Sequence, residues 1–289
     1  MRLPSNKFSR SASPRTSGAR GPESLITSRD NQHLKTFRAA LRDGYLPDEN
    51  LLSIEGPHLI DEALRSGLHI TECLASPAAD KFLDSLPSAE RKSLHILRTT
   101  EKLFNQISAT EHPQGIAALV KPREYTLDDL TRGLPLIVAL FGVQDPGNVG
   151  AAIRSAEAFG ATGVVTTKGT ADPWSAKAMR ASAGSGLRLP LLRGLSPAIA
   201  LAQFRAAGLQ LIATTSKSSP SSPPSSFRAP SAILIGNEGS GLPAEIQRSA
   251  DSTFAIPMSG PVESLNAAIA ASVILYEAQR QRLAAASAD

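Results

Sequence analysis

The sequence predicts an α/β protein whose second half is built on a parallel sheet, and three observations carry that expectation. Apolar, β-branched runs of strand length recur between residues 134 and 258. Segments with helical spacing or small-residue helices separate them. The first pair, LPLIVAL and GVVTT with NVGAAIRSAEAFG between, reads as a βαβ unit.

Taken in order, residues 1–22 are rich in Ser, Pro, Arg and Gly, with Leu3 and Phe8 as their large apolar groups. So little apolar surface does not offset the entropy of ordering, and the stretch reads as a disordered basic tail. An Arg-rich, acid-free leader also resembles an organelle transit peptide, although Pro4 and Pro14 argue against the amphipathic helix that such leaders form. Residues 23–122 read as a small layered α/β domain. Its elements are a helix at 27–42 (Leu34, Phe37, Leu41), a strand at 51–56, and a helix at 57–66 with Pro57 in its first turn. Apolar runs follow at 70–75 and 94–97, then a helix at 101–108 and a strand at 115–120. Arg29, Lys35, Arg38 and Arg42 form either an RNA-facing patch or a solvated helix face.

Residues 123–133 read as a linker into a second domain at 134–289. There, strands are expected at 134–140, 163–167, 209–215, 232–235 and 254–258, with helices at 149–160, 174–182, 197–207 and from 265 onward. Residues 187–191 are a further apolar run, and 217–230, nearly all Ser and Pro, an extended loop. The last helix presents Leu265, Ile269, Val273 and Tyr276 on one face.

Composition narrows the function. No apolar run approaches the roughly 20 residues that span a bilayer, which excludes a membrane protein. The single cysteine, Cys73, rules out an internal disulfide and a Cys-based metal cage, fits a reducing compartment, and reads as a buried small hydrophobe. The net charge is +4, yet residues 1–22 hold five basic residues and no acid, leaving 25 basic against 26 acidic in the rest. Net charge therefore says nothing of the folded part, and any nucleic-acid contact there must come from local clusters.

All five histidines precede residue 134, so the second domain lacks the usual general base and soft metal ligands. Neither Gly-rich turn continues as a P-loop. The dinucleotide fingerprint fails as well, because Gly147 and Gly150 have the wrong spacing and the second strand ends in Val165-Thr166-Thr167, without a ribose-binding acid. What remains is three glycine-bearing loops after strands: DPGNVG (145–150), GNEGSG (236–241) and MSGPVESLN (258–266). They are either structural turns or, gathered at the carboxyl edge of a parallel sheet, a site for a flat, polar-edged ligand such as adenine. Arg154 and Glu238, charges in small-residue surroundings, want each other or a ligand.

NVGAAIRSAEAFG with Asn148 and Arg154, ILIGNEGSGL with Glu238, and IPMSGPVESLNAAIAASVILYE with Ser264 and Asn266 resemble the three motifs of the SpoU/TrmH branch of the SPOUT methyltransferases. RASAGSGLRLPL (180–191) is also similar to the family pattern. IEGPHLIDEAL and HPQGIAAL resemble the substrate-binding, L30e-like domain of rRNA-modifying members. The resemblance implies an S-adenosylmethionine-dependent RNA 2′-O-ribose methyltransferase. It further implies a trefoil-knotted catalytic domain that forms a homodimer, no metal, a cytoplasmic location and a 23S-type rRNA substrate. A tRNA ribose or base methyltransferase and a non-catalytic ribosome-assembly protein are the alternatives.

Carried over by motif, the cofactor contacts fall at Gly236, Ile256 and Leu265, with Met258 and Thr215 beside them. The family assigns help with the ribose proton to Arg154. A guanidinium almost never loses its proton, so stabilising an alkoxide while clamping a phosphate is the easier role. Glu238 is expected to orient Arg154, Asn148 to hold the loop or the ribose, and Asn266 and Ser264 to line the site. Ser264 either caps the final helix or serves the site directly.

Overall fold

The computed structural model describes residues 25–215 and 226–287. The basic tail and most of the Ser/Pro loop expected at 217–230 lie outside the described residues.

The first part runs β1 (Leu25–Ile26), α1 (Gln32–Asp43), β2 (Tyr45–Leu46), β3 (Leu51–Glu55), α2 (Pro57–Arg65), β4 (Ile70–Ala75), α3 (Asp80–Ser85), α4 (Ser88–Ser93), β5 (Ile96–Thr99), α5 (Glu101–Asn105) and β6 (Ile116–Val120). Its sheet order is β1-β5-β4-β6-β3-β2, parallel among β1, β5 and β4 and antiparallel from β4 through β6 and β3 to β2. The helix expected from residue 27 begins at Gln32, because Asn31 accepts hydrogen bonds from the His33 and Leu34 backbone N–H groups and so caps it there. Of the four basic residues singled out there, Lys35 pairs with Asp30 and Arg42 with Asp43, while Arg29 and Arg38 are exposed. Cys73 is buried, which pushes its thiol up to about 12.

Residues 123–133 are not a bare connector. They contain α6 (Leu127–Leu130), where Thr126 and Asp129 form a capping box and Leu130 is buried against the second sheet's core. Then follow β7 (Leu136–Leu140), α7 (Pro146–Ala158), β8 (Gly163–Thr167), α8 (Ala176–Ser182), α9 (Ser185–Arg188), β9 (Leu191–Leu195), α10 (Pro197–Ala206), β10 (Gln210–Thr215), β11 (Ser231–Ile235), α11 (Ala244–Ser249), β12 (Ser252–Ala255) and α12 (Ala267–Ala286). The six strands lie in the order β12-β10-β11-β7-β8-β9, every pair parallel as expected.

Strand alternation sorts the core into two layers. Leu136, Val138, Leu140, Ile212, Ile233 and Ile235 face one side, which α7 and α12 cover with Val149, Ile153, Ile274 and Leu275. Ile137, Ala139, Leu211, Ala213, Ala232 and Leu234 face the other, covered from α10 and α11 by Phe204 and Ile246. Helices on both faces leave the strand ends for function.

Three expectations shift. The strand expected at 254–258 ends at Ala255, so residues 256–266 form an irregular segment. The apolar run at 187–191 divides into the end of α9 and the start of β9. On α12 the stripe Ile269, Val273 and Tyr276 is exposed at 53%, 40% and 56%, whereas Ala267, Ala268, Ala271, Ile274, Leu275 and Ala278 are buried. The small alanines let α12 lie close on α7, Ile274 and Leu275 fill the core, and Ile269, Val273 and Tyr276 are turned outward.

The far end of α12 is held differently. Arg282 donates to the carbonyls of Phe227, Leu134, Pro135 and Ala229 at 2.7, 2.8, 2.7 and 3.1 Å. Burial pushes its guanidinium down from the ordinary value, and the four acceptors compensate the lost water.

Candidate active site

The sheet order reverses between β7 and β11, so the loops leaving these strands sit side by side at the carboxyl edge, where α/β sheets bind ligands. A cavity of about 260 Å³ opens there at the ends of β10 and β11, between the turn 236–242 and the segment 256–265. All five expected cofactor positions, Thr215, Gly236, Ile256, Met258 and Leu265, line it, as do Glu238 and Ser264. Leu242, Phe254 and Ile274 add apolar wall. Glu238 is the one charged side chain in the lining among the described residues.

The turn after β11 is tight. A Cβ on Gly236 would stand 2.2 Å from the backbone of Gly241 and Leu242, so a glycine is required for the chain to close on itself. Asn237 locks the turn. Its side-chain oxygen accepts from the Gly239 and Ser240 N–H groups at 2.8 and 3.3 Å, and its amide donates to the Gly142 carbonyl at 2.8 Å. Sequence reasoning missed Asn237, although an Asn two residues before a Gly in a turn is the signal of this self-bonding geometry.

Three loops are joined by side chains. Asn148 donates to Glu238 Oε1 at 2.8 Å, and the Gln144 N–H donates to Glu238 Oε2 at 3.4 Å. Asn266 donates to Asn148 Oδ1 at 2.9 Å, while its own oxygen accepts from the Ala268 and Ile269 N–H groups and caps α12. The cap is therefore Asn266 and not Ser264, which is exposed on the cavity wall. Burial opposes the charge of Glu238, but the Asn148 amide, its own N–H and those of Gln144 and Asp145 outweigh it. Together they hold the carboxyl below its ordinary value.

The expected Glu238–Arg154 pair is not formed. Asn148 and Arg154 are six residues apart, about one and two-thirds helical turns, so their side chains leave α7 on different faces. Asn148, Ser155 and Phe159 face α12: Ser155 and Ser272 hydroxyls are 2.7 Å apart and Phe159 meets Tyr276 edge-on. Gly147, Gly150 and Glu157 run along α8 and α9. A Cβ on Gly150 would stand 2.2 Å from the Ala178 carbonyl, and Arg188 grips Glu157. Arg154 belongs to this second face by spacing. It is exposed, does not line the cavity, and makes no hydrogen bond or ion pair among the described residues.

The cavity's donor set suits a particular ligand class. Apolar walls accept a flat ring, and a lone carboxylate at the rim favours a cation. Among the described residues, no three His, Cys, Asp or Glu side chains converge in a way that would hold a metal.

Known proteins share this architecture. The SpoU rRNA Methylase family profile matches residues 135–276, and the profile described as RNA 2′-O ribose methyltransferase substrate binding matches residues 53–126. An uncharacterized tRNA/rRNA methyltransferase of Synechocystis is 34% identical over 91% of this chain and 96% of its own. The 23S rRNA (guanosine(2553)-2′-O)-methyltransferase RlmP of Bacillus subtilis is 31% identical over 87% of this chain and 97% of its own. Among solved structures, an AdoMet-bound rRNA methyltransferase from Sinorhizobium meliloti superposes with a TM-score of 0.74 at 31% identity, covering 89% of this chain and 97% of that one. AviRb of Streptomyces viridochromogenes, in complex with AdoMet, gives 0.73 at 29% identity over 88% and 98%. With matches spanning nearly the whole of both chains, and the family's three motifs brought to one sheet edge, the chain belongs to the SpoU family of RNA methyltransferases.

Proposed function

We propose that the protein transfers a methyl group from S-adenosylmethionine to a ribose 2′-hydroxyl of large-subunit rRNA. The observation that supports it most is the convergence of all five expected cofactor positions on one cavity, rimmed by the Glu238–Asn148–Asn266 bridge. S-adenosylmethionine, when bound, supplies an electrophilic methyl carbon whose bond to sulfur breaks as the ribose oxygen attacks. The turn 236–242, with Thr215, Ile256, Met258 and Leu265, holds the adenosyl part. Ser264 lies on the wall of the same cavity, and Asn148, Glu238 and Asn266 would keep the loops at a fixed separation, which a reaction dependent on in-line approach requires.

Arg154 binds a backbone phosphate beside the target ribose with its planar donors. It also stabilises the negative charge that develops on the 2′-oxygen as the proton passes to water. Its lack of an internal partner supports that role, since a guanidinium already paired would have to break that pair first.

The division proposed is an RNA-binding domain at 23–122, a packed connector at 123–133 and a knotted catalytic domain at 134–289. The return of α12 from the edge strand β12 to α7 is consistent with such a knot. The exposed stripe Ile269, Val273 and Tyr276 is the surface through which two copies pair. Under this reading the protein works in the cytoplasm, where rRNA is modified; among the described residues no helix is long and apolar enough to cross a membrane.

Incubation with methyl-labelled cofactor and total RNA, followed by mapping of ribose methylation, tests the proposal. Label at a ribose of large-subunit rRNA is the expected result. Transfer to tRNA or to a base would overturn the substrate assignment, and no transfer to RNA that the protein binds would overturn the activity.

A further inference from the structure

The pattern RASAGSGLRLPL has no part in the cavity, yet its last arginine lies at a junction. Arg188 donates through Nε and Nη2 to both carboxylate oxygens of Glu157 on α7, each at 2.7 Å, and through Nη1 to Glu62 on α2. Gly184 makes room for this: a Cβ there would stand 2.8 Å from Glu62 Cγ. All three side chains are half-buried or more.

Glu157 is three residues beyond Arg154, a spacing that puts an arginine and a carboxylate on one helix within reach of each other. They do not pair here, and Arg188 holds both oxygens of Glu157 instead. We propose that Arg188 is a positioning residue that sequesters Glu157, so that the Arg154 guanidinium stays free for RNA phosphate and no uncompensated carboxylate stands beside that phosphate. This inference rests on the reading of Arg154 as the phosphate contact. Without Arg188, two carboxylates remain within reach of one another, and Glu157 is free to turn one helical turn back onto Arg154. The phosphate then competes with a tethered anion and is repelled by it.

The test is RNA affinity by filter binding, with its salt slope, for Arg188→Gln, Glu157→Gln and the double variant. Arg188→Gln is expected to weaken RNA binding roughly three- to tenfold, seen in turnover as a raised KM with a smaller change in kcat. Glu157→Gln alone should leave binding unchanged, and the double variant should return to within about twofold of the wild type. Should Arg188→Gln not fold, Arg188→Lys, which keeps the charge but loses the fork, is expected to show a smaller loss, again relieved by Glu157→Gln. A loss that survives Glu157→Gln overturns the proposal and leaves Arg188 as a tether to Glu62 alone. No loss at all overturns it too. Methyl transfer by the wild type is measured in parallel: its absence would strike the activity, while the binding comparison still decides the role of Arg188.

Discussion

Along α7, the face toward α12 is saturated: Asn148 both donates and accepts, Ser155 meets Ser272, and Phe159 stacks edge-on against Tyr276. The face toward α8 and α9 is closed at Gly150 and Glu157 but leaves Arg154 between them without a partner among the described residues. One helix thus carries a rigid frame on one side and an available charge on the other. Under the proposed function the two residues of one motif would have separate duties: the frame would set where the loops lie, and the guanidinium would meet the RNA.

The sharpest way to break the comparison is Arg154→Ala. Transfer is expected to fall by about 10²–10³-fold, the usual loss for a charge-stabilising donor, with cofactor affinity within a few-fold by titration. Loss of cofactor binding instead would put Arg154 in the frame. Next in size is Arg282→Ala, which touches neither face of α7. Removing a half-buried cation from four carbonyls is expected to cost roughly 2–4 kcal/mol in urea unfolding, with cofactor affinity unchanged while the protein remains folded.

Asn148→Ala attacks the frame by deleting both bridges at once. A stability loss of about 1–2 kcal/mol is expected, with cofactor affinity and turnover falling together, unlike the split seen for Arg154. Asn266→Asp is finer: the cap on α12 survives but the donor to Asn148 is lost, so thermal stability should hold while cofactor affinity weakens several-fold.

The smallest effect is with pH. The folded carboxyl of Glu238 lies below its ordinary value of 4.5, so its bridge contributes stability that is complete above that value and lost only as pH falls through the lower folded one. Cofactor affinity should stay flat from pH 7 to about 4.5 as far as Glu238 is concerned, then decline, and Glu238→Gln should remove that decline. A fall already between pH 7 and 5 would point to another group.

The parallel sheet, its alternating faces and the helices between were legible before any coordinates, because period-two and helical apolar spacing are local properties of the chain. The five expected cofactor positions came from the motif resemblance and not from local pattern; they meet at one cavity because Thr215 ends β10, Gly236 follows β11, and Ile256, Met258 and Leu265 lie between β12 and α12. Asn237 could have been read from its turn chemistry.

What local pattern did not carry was partner choice. Leu265, Ile269, Val273 and Tyr276 repeat as a core stripe would, yet Ile269, Val273 and Tyr276 point outward, because the alanines opposite allow closer packing on α7 and only the neighbouring helix decides which face is covered. Glu238 pairs with Asn148 and not with Arg154, because the two residues, six apart, leave α7 on different faces. The sequence by itself determined the fold class, the loops of the site and the residue types available there, since these follow from spacing and backbone chemistry. The tertiary structure alone decided which polar groups pair and which stay free, since pairing depends on distances between segments some 90 to 120 residues apart, as Asn148 is from Glu238 and from Asn266.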